Sequence, residues 1–194
     1  GGCQELRVLH LFNNRLEELP SEISKLSHLR ELNLSVNRLK QLPRGFGGFT
    51  ELFFLDLSYN RLEELTPQVC WITSLTELHI SDNKLTFLPP EIGRLAVLEK
   101  FSCNRNQLVE LPPEIGGCKA LRILSVMSNK IHLVPPEVID CSLETIDLSL
   151  NPLVKELDQA ARKGQRELAT YIKSEAYLSF YWKETGRPRP PRFV

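Results

Sequence analysis

Asp56, His79 and Ser81 are residue types that serve nucleophilic catalysis, and they fall close together in this 194-residue chain. A serine hydroxyl becomes a nucleophile only with a base in hydrogen-bond reach, a third group holding that base, and donors placed for the oxyanion. Ser81 follows His79 by two positions in text that reads as a strand, which puts the two side chains ~7 Å apart on one face. No neighbouring segment supplies an oxyanion hole, so the trio does not read as a catalytic relay. The glycines of RGFGGF, from Arg44 to Phe49, lie in turn text rather than between a strand and a helix, and fail the context a phosphate-cradling loop requires. Cys3, Cys70, Cys103, Cys118 and Cys141 contain no CxxC pair, and no His/Cys cluster has zinc spacing. They read as reduced core thiols of an intracellular protein. No catalytic residue, cofactor or metal is expected.

The elements that carry these residues recur. Asparagines stand at Asn14, Asn37, Asn60, Asn83, Asn106 and Asn129, each 23 residues after the last. Around them lie LRVLHLFNNRLEELP, LRELNLSVNRLKQLP, LFFLDLSYNRLEELT, LTELHISDNKLTFLP, LEKFSCNRNQLVELP and LRILSVMSNKIHLVP, with a seventh, LETIDLSLNPL, one residue early. The text resembles the leucine-rich repeat signature LxxLxLxxNxL over six full copies and one partial.

In each copy a short strand points leucines such as Leu9 and Leu11 inward while His10 points out. One copy cannot bury its own apolar face, so neighbours must stack into a curved solenoid with a parallel sheet on its concave side. The recurring asparagine ends each strand and answers backbone groups that the turn would leave unpaired. Prolines after Leu19, Leu42, Leu88, Leu111 and Val134 favour turns and short 3₁₀ pieces on the convex side. There Ile23, Phe46, Val69, Ile92, Ile115 and Val138 form one inner column. Leu26, Phe49, Ile72, Leu95, Cys118 and Cys141 form the next. The expected fold is an α/β repeat solenoid, a horseshoe with a parallel concave sheet, a turn and 3₁₀ convex side and a C-terminal helical cap.

The ends depart from the period. Residues 1–5 match the tail of an upstream repeat, since Gly1, Gly2 and Cys3 align with Gly116, Gly117 and Cys118; the repeats run over 6–153. Leu6, Leu9 and Leu11 then sit on an uncapped edge, which implies further repeats upstream or a neighbour that covers it. Over 154–183 the text turns helical, with Leu168, Tyr171, Ile172, Glu175, Leu178 and Trp182 on a stripe and Gly164 a stop or bend between two shorter helices. The aromatic run of Tyr171, Tyr177, Phe180, Tyr181 and Trp182 serves either the cap's core or a partner surface. The tail over 184–194 is basic and proline-rich and is expected to be extended and mobile. Its Pro188 and Pro191 form a PxxP flanked by Arg187 and Arg192.

Charge sets the partner class. Twenty-four Lys plus Arg balance twenty-four Asp plus Glu, so no net field draws in nucleic acid or an anionic membrane. No apolar run approaches the ~18 residues of a membrane helix, and the start lacks a signal-peptide layout, so the chain reads as soluble. Arg15, Arg38, Arg61, Lys84 and Lys130 form a basic ladder beside Glu17, Glu18, Glu63 and Glu64, which reads as a salt-bridged rim. Outward positions concentrate aromatic and apolar residues in the first three repeats. Phe12, Val36, Phe53, Phe54 and Tyr59, with Asp56, Glu77, His79 and Arg105 around them, form the candidate partner site on the concave face, as aromatic anchors with a polar rim. Arg7, Arg30 and Glu31 border it. Trp71 and Phe87 mark a second contact on the other side or pack on local turns.

The return segments of the form LPxEIxxL, with FNNRLEELPSEI, LPPEIGRL and the helix YIKSEAYLSFYWKE, resemble the Ras-group leucine-rich repeat proteins. That resemblance implies a cytoplasmic signalling or adhesion adaptor without disulfide caps. It further implies a protein partner such as a LIM-domain adaptor or a Ras-pathway protein. From the residues alone, three readings stand: a non-catalytic interaction scaffold, the recognition arm of a larger signalling enzyme such as a kinase or ubiquitin ligase, and a structural subunit of a large assembly.

Overall fold

Seven three-residue strands stack in chain order into one parallel sheet: β1 (Val8–His10), β2 (Glu31–Asn33), β3 (Phe54–Asp56), β4 (Glu77–His79), β5 (Lys100–Ser102), β6 (Ile123–Ser125) and β7 (Thr145–Asp147). The computed structural model describes residue 3 and residues 5–191. The alignment of Gly1 and Gly2 with Gly116 and Gly117, and the place of Arg192 beside the PxxP, lie outside the described residues.

The register follows the period. Leu9 pairs with Leu32, Leu32 with Leu55, Leu55 with Leu78, Leu78 with Phe101, Phe101 with Leu124 and Leu124 with Ile146. From Leu32 to Leu124 these central residues are buried, and with the convex columns they form one continuous core. Each repeat thus buries its leucines only against its neighbours, the arrangement that makes stability a sum of repeat and interface terms. The convex side is built of short 3₁₀ turns, such as Pro90–Arg94 and Pro113–Gly117, entered through an extended proline. Gly93 is there because a Cβ on it would stand 2.3 Å from the Glu114 carbonyl oxygen of the next turn.

Leu26, Ile72, Leu95 and Cys118 leave their 3₁₀ turns with ψ of 62°, 71°, 62° and 70°, whereas Phe49 leaves extended at 128° and Cys141, in the segment that is one residue shorter, at 161°.

The asparagines bind the turns together. Asn83 is representative: its Oδ1 accepts the Leu62 N–H of the preceding repeat (3.0 Å), and its Nδ2 donates to the carbonyls of Leu57 (3.0 Å), Ile80 (3.2 Å) and Ser81 (3.2 Å). Asn37, Asn60, Asn106, Asn129 and Asn151 repeat the pattern. Among the described residues Asn14 makes only the two local bonds, to Leu11 O and Phe12 O. The residue before each asparagine is left-handed: Asn13, Val36, Tyr59, Asp82, Arg105, Ser128 and Leu150 all have φ between 48° and 57°. That conformation costs a side-chain-bearing residue about 1–2 kcal/mol. The sheet enforces it, since the N–H of each from Asn13 to Ser128 donates to a carbonyl of the next repeat, as Tyr59 does to Ser81 O (2.9 Å).

The cap differs from the expected two helices. Three form, α1 (Lys155–Lys163), α2 (Gln165–Lys173) and α3 (Glu175–Thr185). Gly164, at φ 118°, makes the first break. Ser174 makes the second: its hydroxyl donates to Tyr171 O at the end of α2 and accepts Tyr177 N–H at the start of α3. Glu175 therefore opens α3 instead of continuing a stripe. Tyr177, Tyr181 and Trp182 are buried core, and Phe180 is exposed. Tyr177 locks the cap to the sixth repeat: its hydroxyl donates to Val134 O (2.5 Å) and accepts Val134 N–H (3.0 Å). Within the tail that was expected to be mobile, two arginines are bonded to the fold. Arg187 bonds the Tyr181 hydroxyl (3.1 Å) and Glu110 (2.9 Å), and Arg189 grips Glu175 with both Nη atoms (2.8 and 2.7 Å).

Candidate functional site

Positions that point out of the strands form columns across the concave face, where parallel strands put neighbours ~4.8 Å apart. The Phe54 ring lies 5.6 Å from the His79 ring one strand away. On β4, Glu77 Oε2 is 3.5 Å from His79 Nε2, and Glu77 Oε1 accepts Lys100 Nζ at 2.8 Å. The Lys100 bond, with His79 beside it, holds the Glu77 carboxyl below the usual carboxylate range. Phe54, Glu77, His79 and Lys100 thus form a contiguous aromatic and charged patch in the middle of the face.

The other expected site residues divide around it. Phe12, 53% exposed, stands edge-on to His10 near the outer strand β1. Phe53 precedes β3, at the entry edge of the sheet, and is exposed. Val36 and Tyr59 are not on the concave strand face as expected. Their left-handed backbone carries them onto the rim where the strands exit, and both side chains are exposed. There Arg105 grips Asp82 with Nε (2.6 Å) and Nη2 (2.8 Å) and donates from Nη2 to the Tyr59 hydroxyl (3.3 Å). The Asp82 bond raises the Arg105 guanidinium pKa further above its ordinary value. Asp56 serves the fold: its Oδ1 accepts Ser58 N–H (2.9 Å) and closes the end of β3.

Lys100, Asp82 and Glu51 were not among the expected site residues. Glu51 gathers His28 (2.7 Å), Arg30 (2.9 Å) and Arg7 (3.9 Å) at the entry edge, and the first two hold its carboxyl below the usual range. The signal was present for two of them, as opposite charges one period apart: Glu77 with Lys100, Asp82 with Arg105.

The nucleophile-like trio is dispersed. Ser81 Oγ shares a hydrogen bond with Ser102 Oγ (2.9 Å), His79 faces Glu77, and Asp56 holds Ser58. Cys70, Cys103 and Cys118 are buried and Cys141 half-buried; burial pushes the Cys70 and Cys118 thiols up to about 12 and Cys141 to about 11. Among the described residues no group of three His, Cys, Asp or Glu side chains is placed to hold a metal, and no helix is long and apolar enough to cross a membrane. On the far side, the Arg94 guanidinium stacks 4.0 Å over the exposed Trp71 ring, and Phe87 is exposed.

A family model for leucine-rich repeat regions matches residues 1–108. No curated protein sequence matches the chain. Among solved structures, a leucine-rich repeat protein of Leptospira interrogans is 37% identical with a TM-score of 0.79, covering 82% of this chain and 41% of its own. A plant peptide hormone receptor, RGFR1 in complex with RGF2, is 28% identical with a TM-score of 0.70, covering 78% of this chain and 25% of its own. A Listeria monocytogenes internalin, at 24% identity and a TM-score of 0.64, covers 72% and 40% and shares the fold. The chain therefore spans 25% to 41% of the length of these structures.

Proposed function

The chain belongs to the leucine-rich repeat proteins, and from that premise we propose that it is a non-catalytic scaffold whose concave face binds a protein partner. The observation that carries this reading is the patch of Phe54, Glu77, His79 and Lys100 at the centre of the face, with Tyr59 and Arg105 at its rim. Aromatic anchors surrounded by fixed charges give a partner both apolar area and an electrostatic register. Small side chains at Ser35, Ser58 and Ser81 leave the sheet open to approach. Phe12 and Phe53 extend the contact towards β1, Val36 stands on the rim beside it, and Asp56 shapes it through its turn.

The LPxEIxxL segments and the YIKSEAYLSFYWKE helix, similar to the Ras-group proteins and within them to the Ras suppressor protein, support a cytoplasmic adaptor in signalling or adhesion. A LIM-domain adaptor or a Ras-pathway protein is the partner class that likeness favours. A second reading, the recognition segment of a larger receptor or signalling protein, is favoured by the likeness to a fraction of a peptide hormone receptor.

Affinity capture from cell extract, quantified by mass spectrometry, tests the scaffold reading. Phe54→Ala/Tyr59→Ala should deplete a defined set of proteins that Trp71→Ala/Phe87→Ala retains. Equal recovery by both variants removes the concave face as the binding surface.

A further inference from the structure

The rim where the strands exit carries a row of cations without ion pairs among the described residues. Arg15, Arg38, Arg61 and Lys84 occupy one position in four consecutive repeats, each directly after the ladder asparagine, and Lys130 holds it two repeats further on. Elsewhere the chain pairs such cations with carboxylates of an adjacent repeat: Arg30 with Glu51 (2.9 Å), Lys100 with Glu77 (2.8 Å), Arg105 with Asp82 (2.6 Å), Arg122 with Glu144 (2.7 Å). The expected salt-bridged rim does not form. Among the described residues Arg15, Arg38, Arg61 and Lys84 have no ion pair and no side-chain hydrogen bond, and Lys130 donates only to Gln107 (3.1 Å). Glu17, Glu18, Glu63 and Glu64 follow two and three positions further along their segments.

Arg15, Arg38 and Arg61 instead line an open cleft of about 710 Å³ with Asn13, Asn14, Val36 and Asn37, and no carboxylate is in its wall. The Asn37 carboxamide is spent on Leu11, Leu16, Leu34 and Ser35 backbone groups, so beside the carboxamides of Asn13 and Asn14 the cleft offers the three guanidinium groups as its charge. Guanidinium forks suit carboxylates held side by side. At ~4.8 Å per strand the four cations span ~15 Å, the length of four or five residues of extended peptide at ~3.3 Å each.

We propose that this ladder docks an acidic, extended peptide segment of a protein partner along the strand-exit rim. The row is one residue wide, and Glu17, Glu18, Glu63 and Glu64 border it. A continuous polyanion such as nucleic acid would meet those carboxylates, whereas a short peptide with its acidic side chains on one row avoids them. The site is separate from the central concave patch, and an isolated peptide tests it whatever binds there.

The experiment is fluorescence anisotropy of a fluorescein-labelled octaglutamate peptide with the full chain, in a buffer of about 20 mM ionic strength where screening is weak. Arg38→Gln/Arg61→Gln should weaken binding about tenfold or more, while Lys119→Gln/Arg122→Gln, which removes the same charge from exposed positions away from that rim, leaves it unchanged. Arg38→Lys/Arg61→Lys should fall between, keeping the charge and losing the fork. Matching circular-dichroism melts establish that the variants fold alike. No binding, equal loss in the Gln variants, displacement by inorganic phosphate at matched ionic strength, or tighter binding of an octathymidylate strand would each overturn the proposal.

Discussion

Replacing Asn83 by alanine removes one acceptor and one amino group from the centre of the stack, and the two losses are not equivalent. The three carbonyls that Asn83 serves keep other donors: Leu57 O retains Asn60 Nδ2 (3.0 Å), Ile80 O retains Asn106 Nδ2 (3.0 Å), and Ser81 O retains Tyr59 N–H (2.9 Å). The Leu62 N–H has only Asn83 Oδ1, and Leu62 is wholly buried. A buried donor left unpaired costs about 1–3 kcal/mol, and the three lost carbonyl bonds add a few tenths each, so the total is about 3 kcal/mol. Asn14→Ala is the internal control, because Asn14 is exposed and Leu11 O keeps Asn37 Nδ2 (2.9 Å). Its cost should stay below about 1 kcal/mol. Urea unfolding measures both, with Trp71 reporting the repeats and Trp182 the cap. With a slope of about 2–3 kcal/mol/M, Asn83→Ala lowers the midpoint by about 1 M or more. Equal midpoint shifts in the two variants would show that the ladder's asparagine does not act through the orphaned N–H.

Other consequences are as direct. Tyr177→Phe strips Val134 N–H and O of their shared partner and should cost about 2–4 kcal/mol, with the Trp182 transition moving to lower urea ahead of that of Trp71. Coincident transitions would show that the cap is not held by that hydroxyl. The Arg189 bonds, with Ser179 beside them, depress the Glu175 carboxyl to about 2 from an ordinary 4.5, so its stabilising contribution is complete above pH 4.5 and is lost as pH falls through about 2. A ¹³C titration of Glu175 should show that depression, and Arg189→Ala should return the midpoint towards 4.5. Iodoacetamide at about pH 8 should alkylate the exposed Cys3 and spare the other four thiols, whose burial raises their pKa values. Rapid addition of a second label to the folded protein would refute that packing.

The repeats were legible because their constraint acts on residue type. Leu32, Leu55, Leu78 and Leu124 admit only apolar groups, and Asn37, Asn60, Asn83, Asn106 and Asn129 must both donate and accept at one buried point. The left-handed rim was invisible for the opposite reason. Asn, Val, Tyr, Asp, Arg, Ser and Leu all occupy it, since the inter-strand hydrogen bonds impose the conformation whatever the side chain. Val36 and Tyr59 therefore looked like concave strand positions. The break at Ser174 was hidden by an apolar period that continues through it, although Ser174 is itself a good N-cap type. The tail's anchorage rests on pairs such as Arg187 with Glu110, 77 residues apart, and separation of that order leaves no local trace. In the candidate site the aromatic residues stand out by type, whereas the grouping into a central patch, a rim pair and an outer pair is set by which columns neighbour each other in space.

The central claim is that a protein partner lies on the concave face, and site-specific photocrosslinking tests it most directly. A benzoylphenylalanine placed at Phe54 should capture the proteins lost by Phe54→Ala/Tyr59→Ala, and the same group at Phe87 on the opposite side should not. Adducts from Phe87 alone, or equally from both positions, would contradict the account.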